Sequence, residues 1–198
     1  MKIFIYLKKY LLGIIVLPII LLGLFVFITI NYKSNLHIVS PDKVYRSAQP
    51  DSKFIKYLWQ NHGIRCILNL RDENNTSWYK EEEDTTKSLG IKLINFPISV
   101  SKGLSEKEIK ELVILLKEAP KPLLIHCKSG ADRTGLASAL YLHFLSEDQK
   151  DNAGGQLSIF YGHIPFFKAR KMDQDFEISK KINPDDIFKT DKQDNKKS

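Results

Sequence analysis

Cysteine is the scarcest informative residue in this 198-residue sequence, with Cys66 and Cys127 the only two. Two cannot build a disulfide scaffold or a four-cysteine metal site, which leaves reactive or buried thiols. Proline is sparse as well, at eight residues, and 43% of the chain is hydrophobic, enough to bury one ordinary core. Strong charge of one sign is also missing. The formal charge is +7, yet residues 34–183 carry 22 basic and 19 acidic side chains. That mild excess lacks the lysine and arginine stripes of a nucleic-acid binder, while it suits an anionic substrate or an anionic lipid surface. With no internal repeat and no long low-complexity run, one folded domain is expected.

Charge disappears altogether from Tyr10 to Ile30, 21 residues that as a helix would extend roughly 30 Å, the thickness of a bilayer's hydrocarbon core. A transmembrane signal anchor is expected over 10–30, after a basic segment over 1–9. Gly13, Pro18 and Gly23 are tolerated by helices in lipid. A cleaved secretory signal is the alternative, but such signals end at small residues, whereas this run passes into Phe27-Ile28-Thr29-Ile30-Asn31-Tyr32. Lys2, Lys8 and Lys9 precede the run and Lys33 follows it, so the N-terminus is expected inside. The chain would be a single-pass protein of the inner or plasma membrane, its folded domain extracytoplasmic, in the periplasm if the cell is Gram-negative. Residues 31–40 read as a linker, 41–183 as the domain, and 184–198 as a disordered polar tail whose one aromatic is Phe188.

Within the domain, strands and helices alternate. Val44 to Ala48 reads as a strand, and Ser52 to Asn61 as a helix ended by Gly63. Ile64 to Leu70 is a core strand, Glu81 to Leu89 a short helix, and Ile91 to Phe96 a third strand. Ser105 and Glu108 form a capping box for a helix reaching Glu118, which Pro120 and Pro122 stop. Leu123-Leu124-Ile125 delivers the chain into His126 and Cys127, and a helix follows from Thr134 to Leu145. This order predicts an α/β domain with a mainly parallel central sheet flanked by helices. Ligands of such sheets bind at the carboxyl ends of strands, where Cys127 falls.

Five residues separate Cys127 from Arg133, and Ser129, Gly130 and Ala131 among them are small. A loop wrapped at a helix N-terminus aims successive backbone N–H groups at one spot, and the helix dipole adds positive potential there. The same field lowers a cysteine pKa, making Cys127 a candidate nucleophile, while the fork of Arg133 suits phosphate oxygens. Lys128 adds a cation at the rim. Cys66 opens an apolar strand and reads as core, with a resolving thiol for Cys127 as the lesser role. Cys127, His126 and His163 match no usual zinc spacing, so neither metal nor other cofactor is expected.

The run His126-Cys127-Lys128-Ser129-Gly130-Ala131-Asp132-Arg133-Thr134-Gly135 resembles the signature of the cysteine-dependent phosphatases, the superfamily of protein tyrosine and dual-specificity phosphatases. Val44 to Pro50, Ile67 to Arg71, Gln156-Leu157-Ser158 and Tyr161-Gly162-His163 extend the resemblance, over about residues 43–180, to bacterial members of the dual-specificity group. The resemblance implies that Cys127 attacks phosphorus to form a phosphocysteine, that residues 128–131 and Arg133 hold the phosphoryl group, and that Thr134 helps the sulfur leave. His126 would order the loop from behind. Gln156 would position the hydrolytic water or hold the Gly154-Gly155 turn.

The sequence departs from that family at the general acid, since the loop Pro97 to Gly103 contains no carboxylate. Asp132 is the nearest candidate and resembles an Asp found just before the Arg in phosphatases acting on phosphoinositides. It reads either as the acid or as a residue that orients Arg133 or caps the helix. Asp132, Lys128 and the tether favour a phosphorylated lipid or glycolipid. The competing readings are a phosphoprotein substrate and a catalytically inactive phosphate-binding module. Oligomeric state has no signature in the sequence.

Overall fold

The computed structural model describes residues 13–24, 28, 34–72 and 76–188. The sheet begins earlier than expected. β1 (His37–Ser40) lies in the stretch read as a linker, and it turns through Asp42, held at φ 56°, into β2 (Val44–Ser47). Asp is one of the few side chains that tolerate that left-handed conformation. Four residues with one inward apolar side chain, Val39, gave too little alternation to mark β1 as a strand.

α1 (Ser52–His62) starts where Asp51 Oδ1 accepts from Phe54 N at 2.7 Å and stops at Gly63, φ 62°. β3 (Cys66–Asn69), α2 (Ser77–Leu89), β4 (Lys92–Asn95), α3 (Glu106–Glu118), β5 (Leu123–His126) and α4 (Asp132–Leu145) follow. α2 begins four residues before the expected Glu81, because its first turn has tertiary anchors: Trp78 lies under Arg71 and the Tyr79 hydroxyl accepts from Asn95 Nδ2. The Ser105–Glu108 capping box is present as expected.

Strand order is β1-β2-β5-β3-β4. Every pairing is parallel except the antiparallel β1–β2 edge, so the sheet is mixed rather than purely parallel. β3 and β5 are buried along their whole length, as parallel strands covered on both faces must be. One face of the sheet, with Val44, Leu68, Leu123 and Ile125, packs against α3, α4 and the later α5 (Arg170–Ser179). The other face, with Tyr45, Ile67 and Leu124, packs against Ile55 and Leu58 of α1. Ser47, His126 and Asn69 lie in register, so β2, β5 and β3 end at one level and present a common carboxyl edge.

α5 has no counterpart among the helices expected from sequence. Its inward residues are Met172, Asp175, Phe176 and Ser179, at helical spacing, but two of the four are polar and hide the apolar stripe. The domain also ends later than residue 183. Residues 184–188 are helical, Ile187 is fully buried, and Phe188 packs on the core beneath Lys117 Nζ at 4.2 Å. Residues 189–198 of the expected tail lie outside the described residues.

Residues 13–24 of the expected anchor are helical and exposed. Among the described residues no helix is long and apolar enough to cross a membrane; residues 10–12, 25–27, 29 and 30 of that span lie outside them.

Replacing Ile187 by Ala should lower stability by roughly 2 kcal/mol, the lower end for truncating a buried Ile. Chemical unfolding checks this, and an unchanged midpoint would mean that residues 184–188 add nothing to the core.

Candidate active site

β5 ends at His126, and Cys127 follows at the sheet's carboxyl edge, buried, one turn of chain before α4. The carbonyls of the loop are pulled away from its centre one after another. Lys128 O accepts from Gln49 N at 3.2 Å, Ser129 O from Asn35 Nδ2 at 2.9 Å, and Gly130 O from Arg46 Nη2 at 2.8 Å. A peptide unit is planar and trans, so each carbonyl drawn outward turns the next N–H inward. The amides of Ser129, Gly130 and Ala131 therefore converge on the space in front of Cys127, at the positive end of α4. Gly130 has φ 70°, and a Cβ there would lie 2.6 Å from the backbone of Ser47 and Ala48, so no side chain fits.

Arg46 makes this arrangement possible. It is fully buried, and its Nη1 donates to both the carbonyl and the side-chain oxygen of Gln156, at 2.8 and 2.7 Å. The Tyr161 ring covers the guanidinium at 4.0 Å. Burial pulls the Arg46 pKa down to about 10, with Tyr161 and Cys127 acting in the opposite direction, so the side chain stays charged at neutral pH. The Gln156 oxygen is engaged by Arg46, which gives Gln156 a support role behind the loop.

His126 faces away from the cradle. Its Nε2 lies 2.7 Å from Glu82 Oε1, both fully buried, in a contact that is not a well-aligned hydrogen bond. The other Glu82 oxygen accepts from Gln49 Nε2 at 3.0 Å, and Gln49 Oε1 accepts from Arg71 Nη1 at 2.8 Å. This chain of contacts, with Trp78 stacked 3.7 Å from the guanidinium, fixes Arg71 beside the loop. Burial lowers the Arg71 pKa, the neighbouring charge of Arg133 lowers it further, and Cys127 and Glu82 oppose both.

Arg133 is half-buried, with Nη1 on Leu70 O at 3.2 Å; its Nε and the Thr134 hydroxyl are buried with no hydrogen-bond partner among the described residues. Buried donors left unpaired are costly, and here they border an anion cradle. Lys128 is exposed at the rim.

Asp132 opens α4 and accepts from His163 Nδ1 at 2.7 Å, while His163 Nε2 pairs with Asp173 at 3.0 Å. Burial would lower the His163 pKa, but the hydrogen bonds and charges of the two carboxylates outweigh it, and the net shift is upward. In the loop that lacks a carboxylate, Gly103 N donates to Ser99 O and Leu104 N to the buried Asp175.

Cys66 has no resolving role. It pairs with Leu123 in register, four residues before Cys127, which places the two cysteines roughly 13 Å apart along the sheet, beyond disulfide reach. Burial pushes its thiol up to about 11. Of the supporting residues, Arg46, Gln49, Arg71 and His163 lie within motifs that carried the family resemblance, although the sequence assigned them no role; Asn35 and Glu82 lie outside those motifs.

A buried cysteine delivered by a central parallel strand into an amide cradle closed by an arginine defines the cysteine-dependent phosphatases of the tyrosine and dual-specificity type. The model of one family, described as DSP-PTPase phosphatase fused to NAD+ kinase, matches residues 32–174, and the chain belongs to that family. It is 29% identical over 162 residues to inositol diphosphatase SIW14 of Saccharomyces cerevisiae, covering 75% of this chain and 54% of that one. It is 26% identical over 109 residues to the dual specificity protein phosphatase TpbA of Pseudomonas aeruginosa, covering 54% and 45%. The chain thus spans about half the length of these curated relatives. Among solved structures, TpbA superposes with TM-score 0.58 at 20% identity, over 79% of this chain and 90% of that one. The SIW14 catalytic core does so with TM-score 0.56 at 26% identity, over 81% and 92%.

The raised His163 pKa makes a stability prediction. The contribution is fully present below the ordinary histidine value of about 6.5 and is lost as pH rises through the higher folded value. The difference in melting temperature between the protein and His163→Gln should be largest near pH 6 and shrink toward pH 9. A difference that grows with pH would contradict the His163–Asp132–Asp173 pairing.

Proposed function

We propose that the chain hydrolyses phosphoric esters through a phosphocysteine on Cys127, and that its substrate carries more than one phosphate, as a phosphorylated inositol ring does. The observation that carries this reading is Arg71, a second guanidinium fixed beside Arg133 where a phosphate neighbouring the reacting one would sit. The name of the yeast relative, an inositol diphosphatase, supports it. The ring is offered either free or as a lipid headgroup, and the uncharged run Tyr10–Ile30 supports a membrane tether for the domain.

In the first step the Cys127 thiolate attacks phosphorus, the bond from phosphorus to the leaving oxygen breaks, and that oxygen takes a proton. The inward amides and Arg133 balance the charge on the equatorial oxygens. Asp132 supplies the proton and is left as a carboxylate facing the His163 imidazolium, which Asp173 holds at its far nitrogen. In the second step water attacks phosphorus, the S–P bond breaks with the Thr134 hydroxyl near the departing sulfur, and Asp132 takes the water's proton.

Phosphate release by the detergent-solubilised full chain tests the reading, with inositol polyphosphates, phosphoinositides, a phosphotyrosine peptide and p-nitrophenyl phosphate as substrates. Cys127→Ser should lose more than about a hundredfold on all of them, since an alcohol stays protonated in the cradle. Arg71→Ala should raise KM at least about tenfold for the polyphosphates, one lost ionic contact, and change the aryl ester little. Equal effects on both classes would remove Arg71 from substrate binding, and turnover of the phosphotyrosine peptide alone would point to a phosphoprotein. Phosphate binding without any turnover would mean an inactive module.

Asp132→Asn should slow an alkyl phosphate about a hundred- to ten-thousand-fold while largely sparing p-nitrophenyl phosphate, whose leaving group needs no proton. Equal losses on the two esters would assign Asp132 to holding the loop.

A further inference from the structure

Between Gln156 and α5 the chain forms a loop with two short 3-10 turns, Ile159–Tyr161 and Phe167–Ala169. Its inner side grips the phosphate loop. Tyr161 covers Arg46, the Tyr161 carbonyl accepts from Asn35 Nδ2 at 2.9 Å, and His163 holds Asp132. The outer side is apolar and uncovered: Phe160 and Phe166 are each 70% exposed and Phe167 98%, with Ile159 and Ile164 beside them. Isolated exposed apolar residues are ordinary, but five in nine residues at the rim of a polar site are not.

Charge indicates what covers them. No acidic residue occurs between Asp151 and Asp173, while Lys168 and Arg170, both exposed, follow the phenylalanines directly. Aromatic side chains beside basic ones suit the boundary between acyl chains and anionic headgroups. The chain's course agrees. Asn35 donates from one amide to both Ser129 O and Tyr161 O, joining the phosphate loop to this loop. It lies five residues after Ile30, where the uncharged run ends, and five extended residues span at most roughly 17 Å. A domain tethered there has its catalytic mouth and its aromatic loop at the bilayer.

We infer that residues Ile159–Phe167 form a membrane-contact surface that seats the mouth of the phosphate loop on an anionic lipid bilayer. The orientation relative to the bilayer rests on the tether reading; the affinity of the loop for lipid does not. The test uses full-length Phe167→Trp with vesicles of phosphatidylcholine, with and without phosphatidylglycerol, some made with brominated lipid. Flotation reports whether the chain is bound. Quenching beyond that of the wild type, whose Trp59 and Trp78 set the baseline, reports whether position 167 enters the bilayer.

The expected result is flotation together with extra quenching that deepens with phosphatidylglycerol. Flotation without extra quenching would leave the tether standing and overturn the contact surface, reassigning the phenylalanines to a protein partner. No flotation even with phosphatidylglycerol would overturn both. Replacing Phe160, Phe166 and Phe167 by Ser should slow hydrolysis of a bilayer-embedded phosphoinositide at least about tenfold and leave water-soluble p-nitrophenyl phosphate within about twofold. Equal rates on the embedded substrate would count against the surface.

Discussion

The site depends on one buried cation. Arg46 stands in the second strand of the sheet with no exposed surface, a placement that would cost several kcal/mol if the guanidinium were unpaired. Its partners are neutral oxygens instead of a carboxylate: the carbonyls of Gly130 and Gln156 and the amide oxygen of Gln156. Among the described residues no carboxylate pairs with it, so its positive charge persists behind the cradle. The same donors fix the direction of the Gly130 carbonyl, while Gln49 and Asn35 fix those of Lys128 and Ser129. One buried side chain thus both holds part of the loop and places a charge behind it.

A second layer ties the groups around the Cys127 loop to the sheet through amides and histidines. Gln49 spans Glu82 and Arg71 with its two ends, so the His126–Glu82 contact behind Cys127 and the cation beside it share one connection. His163 does the same between Asp132 and Asp173. Side chains locked in this way would lose little freedom on binding a ligand, so less of the binding energy would go into ordering them.

Much of the fold and the position of the loop after Cys127 were legible in the sequence because their signals are local: the capping box at Ser105, Gly63 in the left-handed region, an apolar strand running straight into Cys127. The parts that escaped are those whose logic is tertiary. α5 turns Asp175 and Ser179 inward, and a buried carboxylate looks in sequence like a solvent face until Leu104 N and Lys171 are seen against it. β1 is too short to declare itself, and Arg46 reads as an ordinary strand residue until its depth is known. Glu82 lies within a run of acids, Glu81 to Asp84, in which Glu82 alone is buried. Periodicity finds which face of a helix is apolar, but not which polar residue breaks the rule for a reason.

The separation of the two thiols bears on how the protein withstands oxidation. A thiolate that meets peroxide becomes a sulfenic acid, and enzymes with a nearby second cysteine trap that state as a disulfide before it oxidises further. Here Cys66 lies at the opposite end of the sheet, in register with Leu123, and the described residues contain no other thiol. An oxidised Cys127 thus has no internal rescuer. Its recovery depends on a small thiol from outside reaching a buried sulfur.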